Sequence, residues 1–180
     1  MKPILEKLHS DHINFSELLR FLEHQQHLLE ECKLSDLAAM YDAVRYMKEY
    51  PDFVHHPLED IVFRYFMENY GQQHKSIEGL LHEHEGMPAL TERLLETLQN
   101  AQAGLPQDRE ELCEMLEEYI SVQRKHMDEE EAHVYPVLNS SLSPADWQEI
   151  DHDLARVEDP LFGEKVKQSY ASLFQQIMNH

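Results

Sequence analysis

Apolar residues recur every three or four positions through most of this chain, the spacing of one face of an α-helix. The first stripe predicts helix 1, from Pro3 to about Cys32, and contains Leu5, Leu8, Phe15, Leu19 and Leu22. Proline suits the first turn of a helix, because the amide hydrogen it lacks would have no partner there. His12 falls within this stripe, at a position that faces the core.

Helix 2 is predicted to begin after Ser35-Asp36, a pair of good N-cap residues, and to run to about Tyr70. Pro51 and Pro57 lie inside it. Each proline removes a backbone donor and clashes with the carbonyl four residues before it. Because the apolar pattern continues on both sides, we expect a kink or local widening there and not a break.

Two further long helices follow, from about Ser76 to Ala103 and from near Asp108 to a last turn marked by Pro136. In the tail, Ser143 and Pro144 predict a short helix that ends near Val157, and a last helix is expected from about Gly163 to Met178.

Four long helices with short connections predict an all-α, up-down-up-down antiparallel four-helix bundle with one or two extra C-terminal helices. Glycine is scarce, at 5 of 180 residues, which agrees with a helical chain. We expect residues 1–140 to form the bundle and residues 141–180 to form a helical extension packed on it.

The net charge of the chain indicates which kinds of binding partner are favoured. With 15 Lys and Arg against 35 Asp and Glu, the net charge is −20, so nucleic-acid binding is disfavoured and a cation or a basic partner protein is favoured. No apolar run is long enough to span a membrane. Cys32 and Cys113 show no metal-binding spacing, and we expect free thiols in a cytoplasmic protein.

Histidine is abundant, with 13 residues, and two of them form a repeated pattern. His55 and His126 are each followed four residues later by a glutamate, Glu59 and Glu130. This spacing places each pair on one face of a helix. We choose His55 with Glu59, whose face is the cleaner apolar stripe. His56 with Asp60, about 100° away around the helix, stays as the alternative.

His12 and His84 complete the pattern on the other two helices. The interval from His12 to His84 nearly equals the interval from His55 to His126, as expected for a duplicated helical hairpin. Each histidine also lies about the same number of residues from the turn that connects the two helices of its own hairpin. In an antiparallel bundle, the four histidines therefore share one layer.

Four imidazoles and two carboxylates in an apolar layer need compensation, because an isolated buried charge is costly. A metal cluster satisfies all six groups. So many donors suggest two ions with bridging carboxylates. Carboxylates without thiolates favour iron, with manganese or zinc as alternatives. The predicted ligands are His12, His55, Glu59, His84, His126 and Glu130.

These motifs resemble the hemerythrin-like HHE cation-binding domain over residues 1 to about 140. The segments HHPLEDIVF and HMDEEEAHVYPVL carry most of the resemblance, and DPLFG is similar to the C-terminal extension of bacterial members. The resemblance implies a carboxylate-bridged di-iron site that binds O2, NO or peroxide. It further implies a role in O2 or redox sensing, in iron handling or in the repair of iron centres. A protein client or an electron donor would then be a partner. We expect a protein that binds metal and small molecules more than a classical enzyme.

One position departs from the O2-carrying hemerythrins, which have a second histidine one turn from the ligand on helix 3. Here the flanking residues are Leu80 and Pro88. We therefore expect one iron to lack a protein ligand, which argues against simple reversible O2 carriage.

Two other function classes compete with this interpretation. A ferritin-like oxidase would use Glu-x-x-His pairs. Such pairs occur at Glu6/His9, Glu130/His133 and Glu149/His152, but they do not fall at one level along the bundle. A signalling or adaptor module would use the metal only for structure. Tyr119, two turns before His126, either lines the ligand site or is an ordinary core residue. Six histidines are expected to bind no metal: His24, His27, His74, His133, His152 and His180.

Overall fold

The computed structural model describes residues 2–70, 75–152, 158–164 and 166–178. These residues form helices, turns and connecting loops, and no strand occurs among them. The all-α prediction is confirmed. The helices are α1 (Pro3–Glu30), α2 (Leu37–Glu49), α3 (His56–Tyr70), α4 (Lys75–Gln102), α5 (Arg109–Glu129), α6 (Tyr135–Ser141), α7 (Pro144–His152) and α8 (Ala171–Met178).

Helix starts agree closely with the sequence signals. The Asp36 side chain accepts a hydrogen bond from the Ala39 amide at 2.9 Å and caps α2. The Asp108 carboxylate accepts from the Glu110 amide at 2.8 Å and caps α5. Both carboxylates satisfy amides that have no partner within the helix, so the local sequence was enough to locate these starts.

Two short π-helical segments interrupt the long helices. The first covers Pro51–His55 and joins α2 to α3, and the second covers Glu130–Val134 and joins α5 to α6. In the first, the amides of Val54 and His55 both donate to the Tyr50 carbonyl, at 2.9 and 3.1 Å. The predicted widening of helix 2 is confirmed. The second widening was not predicted from Pro136, which lies in the first turn of α6.

A polar layer divides the apolar core into two clusters. Helix α1 packs along α5, and α2 packs along α4. The upper cluster includes Phe15, Leu19, Leu94 and Leu116. The lower cluster includes Leu5, Leu8, Phe63, Leu80 and Val134. On α1, His12 lies between the residues of the two clusters, as His84 does on α4. The polar layer is therefore held between two apolar masses that exclude water.

The described part of the tail packs on both clusters. Trp147 and Ile150 of α7 join the lower cluster, and Tyr170, Leu173 and Ile177 join the upper one. The predicted helix end at Val157 lies outside the described residues. The division into residues 1–140 and 141–180 stays a prediction.

The last helix begins at Ala171, after a 3-10 turn at Gln168–Tyr170, and not at Gly163 as expected. The Asp159 carboxylate accepts from the amides of Leu161 and Phe162 at 2.8 and 2.9 Å, and the Gly163 amide donates to the Asp159 carbonyl at 3.1 Å. These bonds hold residues 159–163 in a turn. Within the described ranges, none of the helices has the length and hydropathy to cross a membrane.

Candidate metal centre

All six residues that the sequence proposed as ligands are buried in the polar layer. The imidazole Nε2 atoms of His12 and His55 lie 3.0 Å apart, and those of His84 and His126 also lie 3.0 Å apart. Nitrogens that bind one metal ion at about 2.0–2.1 Å in adjacent positions have this separation. The structure thus brings the four histidines together as two pairs.

The two glutamates face both pairs. One oxygen of Glu130 lies 3.1 Å from His126 Nε2, and its other oxygen lies 3.3 Å from His12 Nε2. One oxygen of Glu59 lies 3.4 Å from His55 Nε2, and its other oxygen lies 3.5 Å from His84 Nε2. Each carboxylate therefore presents one oxygen to each side of the layer, as a bridge between two ions would.

His56 also reaches the centre. Its ring stacks on that of His84, with centroids 4.5 Å apart, and meets the His126 ring edge-on at 5.4 Å. Donor atoms of His56, Glu59, His84 and His126 lie within 4.8 Å of one another, and a second group of this kind contains His12, His55 and Glu59. The structure therefore offers a histidine for the coordination position that Leu80 and Pro88 left open.

The first π-helical segment explains why neighbouring residues serve opposite sides of the centre. In a regular helix, His55 and His56 would point about 100° apart, and only one could face the core. The extra residue in the widened turn changes this register, and both side chains are buried. The choice between His55 and His56 thus rested on a regular helix that the two prolines prevent. Asp60, the other alternative, is only partly buried and contacts His84 from outside.

Four carboxylates hold the outer nitrogens of four histidines, each across to a neighbouring helix. The Nδ1 atoms of His12, His55, His84 and His126 lie between 2.6 and 3.1 Å from carboxylate oxygens of Glu131, Asp11, Asp60 and Glu83, respectively. Such bonds fix the tautomer, so that each Nε2 is free to bind a metal. We call this arrangement the carboxylate ring.

The partners in the carboxylate ring are not neighbours in the chain. Asp11 precedes His12 in the chain but bonds to His55, and Glu83 precedes His84 but bonds to His126. Adjacent residues point in different directions around a helix, so an acidic residue beside a buried histidine reaches the next helix instead.

Several buried donors in this layer have no hydrogen-bond partner among the described residues. They are Glu59 Oε2, both oxygens of Glu130 and His56 Nδ1. Buried carboxylate oxygens without partners are costly. Bound cations would satisfy them, so the donor set fits a metal centre.

The charges of the residues in this layer point the same way. Burial acts to lower the pKa of His12, but the nearby carboxylates of Glu130 and Glu131 outweigh it and raise the pKa to about 10. The carboxylates of Asp60 and Glu130 likewise outweigh the effect of burial on His84 and raise its pKa to about 10. Burial and the neighbouring His84 lower the pKa of His56. Protons on His12 and His84 therefore offset the negative charge of the buried carboxylates, and bound cations would take the place of these protons.

Comparison with known families agrees with this donor set. The model of the hemerythrin HHE cation-binding domain family matches residues 4–138. The chain belongs to this family. No curated protein and no solved structure matches it. This hemerythrin-family chain is thus a helical, metal-binding protein whose candidate ligands are histidines and glutamates.

Tyr135 is a member of this hemerythrin-family site that sequence reasoning missed. Its hydroxyl donates a hydrogen bond to Glu59, and its ring stacks on His12 with centroids 5.5 Å apart. Burial and the nearby carboxylates raise its pKa well above 10, so it stays protonated. Tyr135 directly follows the second π-helical segment, as His56 follows the first, and the proline after each was the available signal.

Tyr119 belongs to the upper apolar cluster, in agreement with its interpretation as a core residue. Burial raises its pKa above the usual value. The ferritin-like pairs do not assemble, because His9 and His133 have exposed side chains, at 44% and 63%.

The remaining residues named from the sequence lie apart from the donor groups. Among the described histidines, neither group contains His24, His27, His133 or His152. His74 and His180 lie outside the described residues. Cys32 is exposed, Cys113 is buried, and both are free thiols.

Proposed function

We propose that this protein holds two non-haem iron ions and binds O2, NO or peroxide at them. The strongest support is the pair of donor groups that share Glu59, one with His12 and His55 and the other with His56, His84 and His126. Imidazoles and carboxylates without thiolates suit iron better than zinc, and manganese is the alternative. Iron would supply one-electron chemistry and a coordination position for a small ligand.

We also propose that the long helical stretches form the up-down-up-down antiparallel bundle predicted from the sequence. The packing of α1 along α5 and of α2 along α4 supports this arrangement. The short connections that join α1 to α2 and α4 to α5 support it too.

The two sides of the centre differ in their number of histidines, and this difference supports a proposal for where the small ligand binds. One side offers three imidazoles, whereas the other offers only His12 and His55. We place the open coordination position on the second side. Tyr135 lies there, with its hydroxyl oxygen 3.4 Å from His12 Nε2. This hydroxyl donates a hydrogen bond to Glu59 and would be the proton donor for a small ligand bound on this side.

A cavity lies against this side of the centre. It has a volume of about 420 Å³ and is lined by residues of α1 and α5 and by Glu131, and His12 forms part of its wall. Apart from His12, its polar lining includes His9, Arg124 and Asp128. A cavity of this volume is large enough to hold a diatomic molecule or peroxide.

The test is metal analysis of freshly purified protein, with optical spectra recorded without oxygen and then in air. We expect about two irons per chain and new near-ultraviolet absorption in air. A single tightly bound zinc, or no metal, would contradict the di-iron proposal. In that case the structural-metal or adaptor function would replace it, and loss of folding on chelation would distinguish the structural role.

The cytoplasmic location and a protein client or electron donor stay predictions. The net charge of −20 favours a basic partner over nucleic acid.

A further inference from the structure

Asp52 is a buried carboxylate with no hydrogen-bond partner in the described part of the chain. Its side chain is 1% exposed, and both of its oxygens are buried and unpartnered. It lies in the first π-helical segment, one helical turn before His56. A buried carboxylate that has lost its water and found no donor destabilises the folded state. Its presence therefore needs a reason other than the stability of the helices.

The side chain of His56 offers the missing donor. One Asp52 oxygen lies 3.5 Å from His56 Nδ1, slightly longer than an ordinary N–H to oxygen hydrogen bond. Like the two Asp52 oxygens, His56 Nδ1 is buried and lacks a hydrogen-bond partner among the residues that the structure describes. A ring N–H can donate, and a carboxylate oxygen can accept. The two groups are therefore complementary and already face each other.

The same kind of contact serves the other histidines of the centre. The two donor groups together contain five histidines. The Nδ1 atoms of four of them lie 2.6–3.1 Å from the four carboxylates of the carboxylate ring. His56 is the fifth, and the carboxylate ring does not include a partner for it. With Asp52 as that partner, each of the five imidazoles has its own outer carboxylate.

A further polar group, on α5, lies close to Asp52. Burial raises the pKa of Tyr119, and the charge of Asp52 raises it further, which shows that the two side chains are near each other. The Tyr119 hydroxyl is buried and is also unpartnered within the described ranges. A phenol can donate to a carboxylate oxygen. Tyr119 is thus a donor for the second Asp52 oxygen while the first faces His56.

We propose that Asp52 is a positioning residue, which accepts a hydrogen bond from His56 Nδ1 and thereby directs His56 Nε2 at the metal. The proposal rests on the proposed function in needing a metal at the centre, but it does not depend on the metal being iron. A carboxylate on the outer nitrogen fixes the tautomer and the orientation of a metal-bound imidazole. The bound cation in turn compensates the buried carboxylate.

This role of Asp52 would affect where a small ligand binds. An oriented His56 completes the set of three imidazoles on its side of the centre, whereas the other side has only His12 and His55. Asp52 therefore helps to keep the two sides different, although it touches neither a small ligand nor the metal.

Cobalt-loaded, full-length protein provides the test. Co²⁺ is a paramagnetic substitute for ferrous iron, and the ring N–H protons of its imidazole ligands give strongly shifted proton resonances that disappear in deuterium oxide. We expect five such resonances, one for each histidine of the two donor groups. The resonance that is missing from His56→Gln belongs to His56. Four resonances in the wild type, all of them retained in His56→Gln, would overturn the proposal.

Two substitutions separate the hydrogen bond of Asp52 from its charge. Asp52→Leu removes the acceptor, so the His56 resonance should be lost and Co²⁺ binding should weaken about 10- to 100-fold, as measured by competition with a chromophoric chelator. Asp52→Asn keeps an acceptor oxygen, so the His56 resonance should remain at a changed shift and the affinity should be closer to that of the wild type. A His56 resonance that is unchanged in Asp52→Leu would refute the positioning role.

Urea unfolding of chelator-treated protein distinguishes this role from a structural one. Asp52→Leu should unfold at a urea concentration no lower than the wild type, because an apolar side chain replaces a buried carboxylate that has no partner. A lower urea midpoint, combined with a retained His56 resonance in the cobalt-loaded protein, would assign Asp52 to the fold and contradict the proposal.

Asp42 provides the matched control, because it lies on α2, pairs with Arg45 at 3.1 Å and is 30% exposed. Asp42→Leu and Asp42→Asn should leave all five resonances and the Co²⁺ affinity unchanged. A wild-type chain that binds no Co²⁺ would contradict the proposed metal centre and this inference together. A cobalt-loaded chain in which Asp52→Leu keeps the His56 resonance would contradict only the role of Asp52.

Discussion

His55 and His56 are neighbours in the chain, yet they belong to different donor groups of one centre. Their separate use depends on the first π-helical segment, which adds a residue to the turn that carries them. Widened turns of this kind are frequent at functional sites, because they redirect a side chain without ending the helix. A conservative change at His56 therefore tests whether each side of the centre has its own ligands.

We expect His56→Gln to remove about half of the bound metal, because the side with three imidazoles loses one of its strong donors. His82→Gln is the control, since His82 is 87% exposed on α4 and near the same histidines in sequence. Metal content per chain, measured after gel filtration, checks this. Full occupancy in His56→Gln would show that His56 is no ligand.

The carboxylate ring yields a second prediction for single residues. Glu83→Gln should weaken metal binding about 10- to 100-fold, because Glu83 orients His126 from outside the ligand set. Glu85→Gln, two residues away and 70% exposed, should leave affinity unchanged. Competition with a chromophoric chelator measures both. Equal affinities would mean that the ring holds the fold and does not tune the metal.

At the scale of elements, local chemistry determined what the sequence could predict. Asp36 and Asp108 were recognised as helix starts because a cap acts within three residues of itself. His56 was kept only as the alternative to His55, and Tyr135 was missed, because both follow widened turns and a regular helical period places them elsewhere. Asp11 bonds to Lys7 on its own helix and to His55 in the first π-helical segment, and helical spacing carries information only about the Lys7 contact.

Among the described glycines, Gly163 has the least room for an added methyl group. A Cβ at Gly163 would lie 2.4 Å from the Asp159 carbonyl oxygen, so Gly163→Ala should destabilise the protein by about 1–3 kcal/mol. Nothing lies within 4 Å of a Cβ at Gly86, inside α4. Gly86→Ala should therefore stabilise by about 0.5–1 kcal/mol. Urea unfolding measures both, and effects of the same sign would contradict this account.

Helix α7 gives a pH-dependent prediction through Asp146. The Ser143 side chain and the Tyr70 hydroxyl lower the pKa of Asp146 below its usual 3.8. A lowered pKa stabilises the folded state above pH 3.8, and this contribution disappears as the pH falls through the folded-state value. Asp146→Asn should therefore lower the Tm at pH 7, and the difference from wild type should shrink below about pH 4.

Glu68→Gln, an exposed change on α3, is the control for this series and should show no such pH dependence. Melting curves between neutral and acidic pH provide the test. A difference between wild type and Asp146→Asn that stays constant with pH would exclude the carboxylate as its source.

For the whole molecule, the polar layer is the place where the described helices of the bundle meet. Several of its buried ligand atoms have no hydrogen-bond partner among the described residues, and bound cations would satisfy them. Chelation under reducing conditions should therefore lower the Tm, and added ferrous iron should restore it. Saturation at 100 times the dissociation constant contributes about 2.7 kcal/mol. Identical melting curves with and without chelator would argue against metal binding in this layer.

The carboxylate ring also bears on how such a chain could have arisen. The bonds from Asp11 to His55 and from Glu83 to His126 stay within one helical hairpin, whereas those from Asp60 to His84 and from Glu131 to His12 join the two. A single ancestral hairpin would have satisfied only half of its histidines. It would have needed a second copy, related by a two-fold axis, to orient the rest. The carboxylate ring thus has the pairing expected of two similar hairpins related by a two-fold axis.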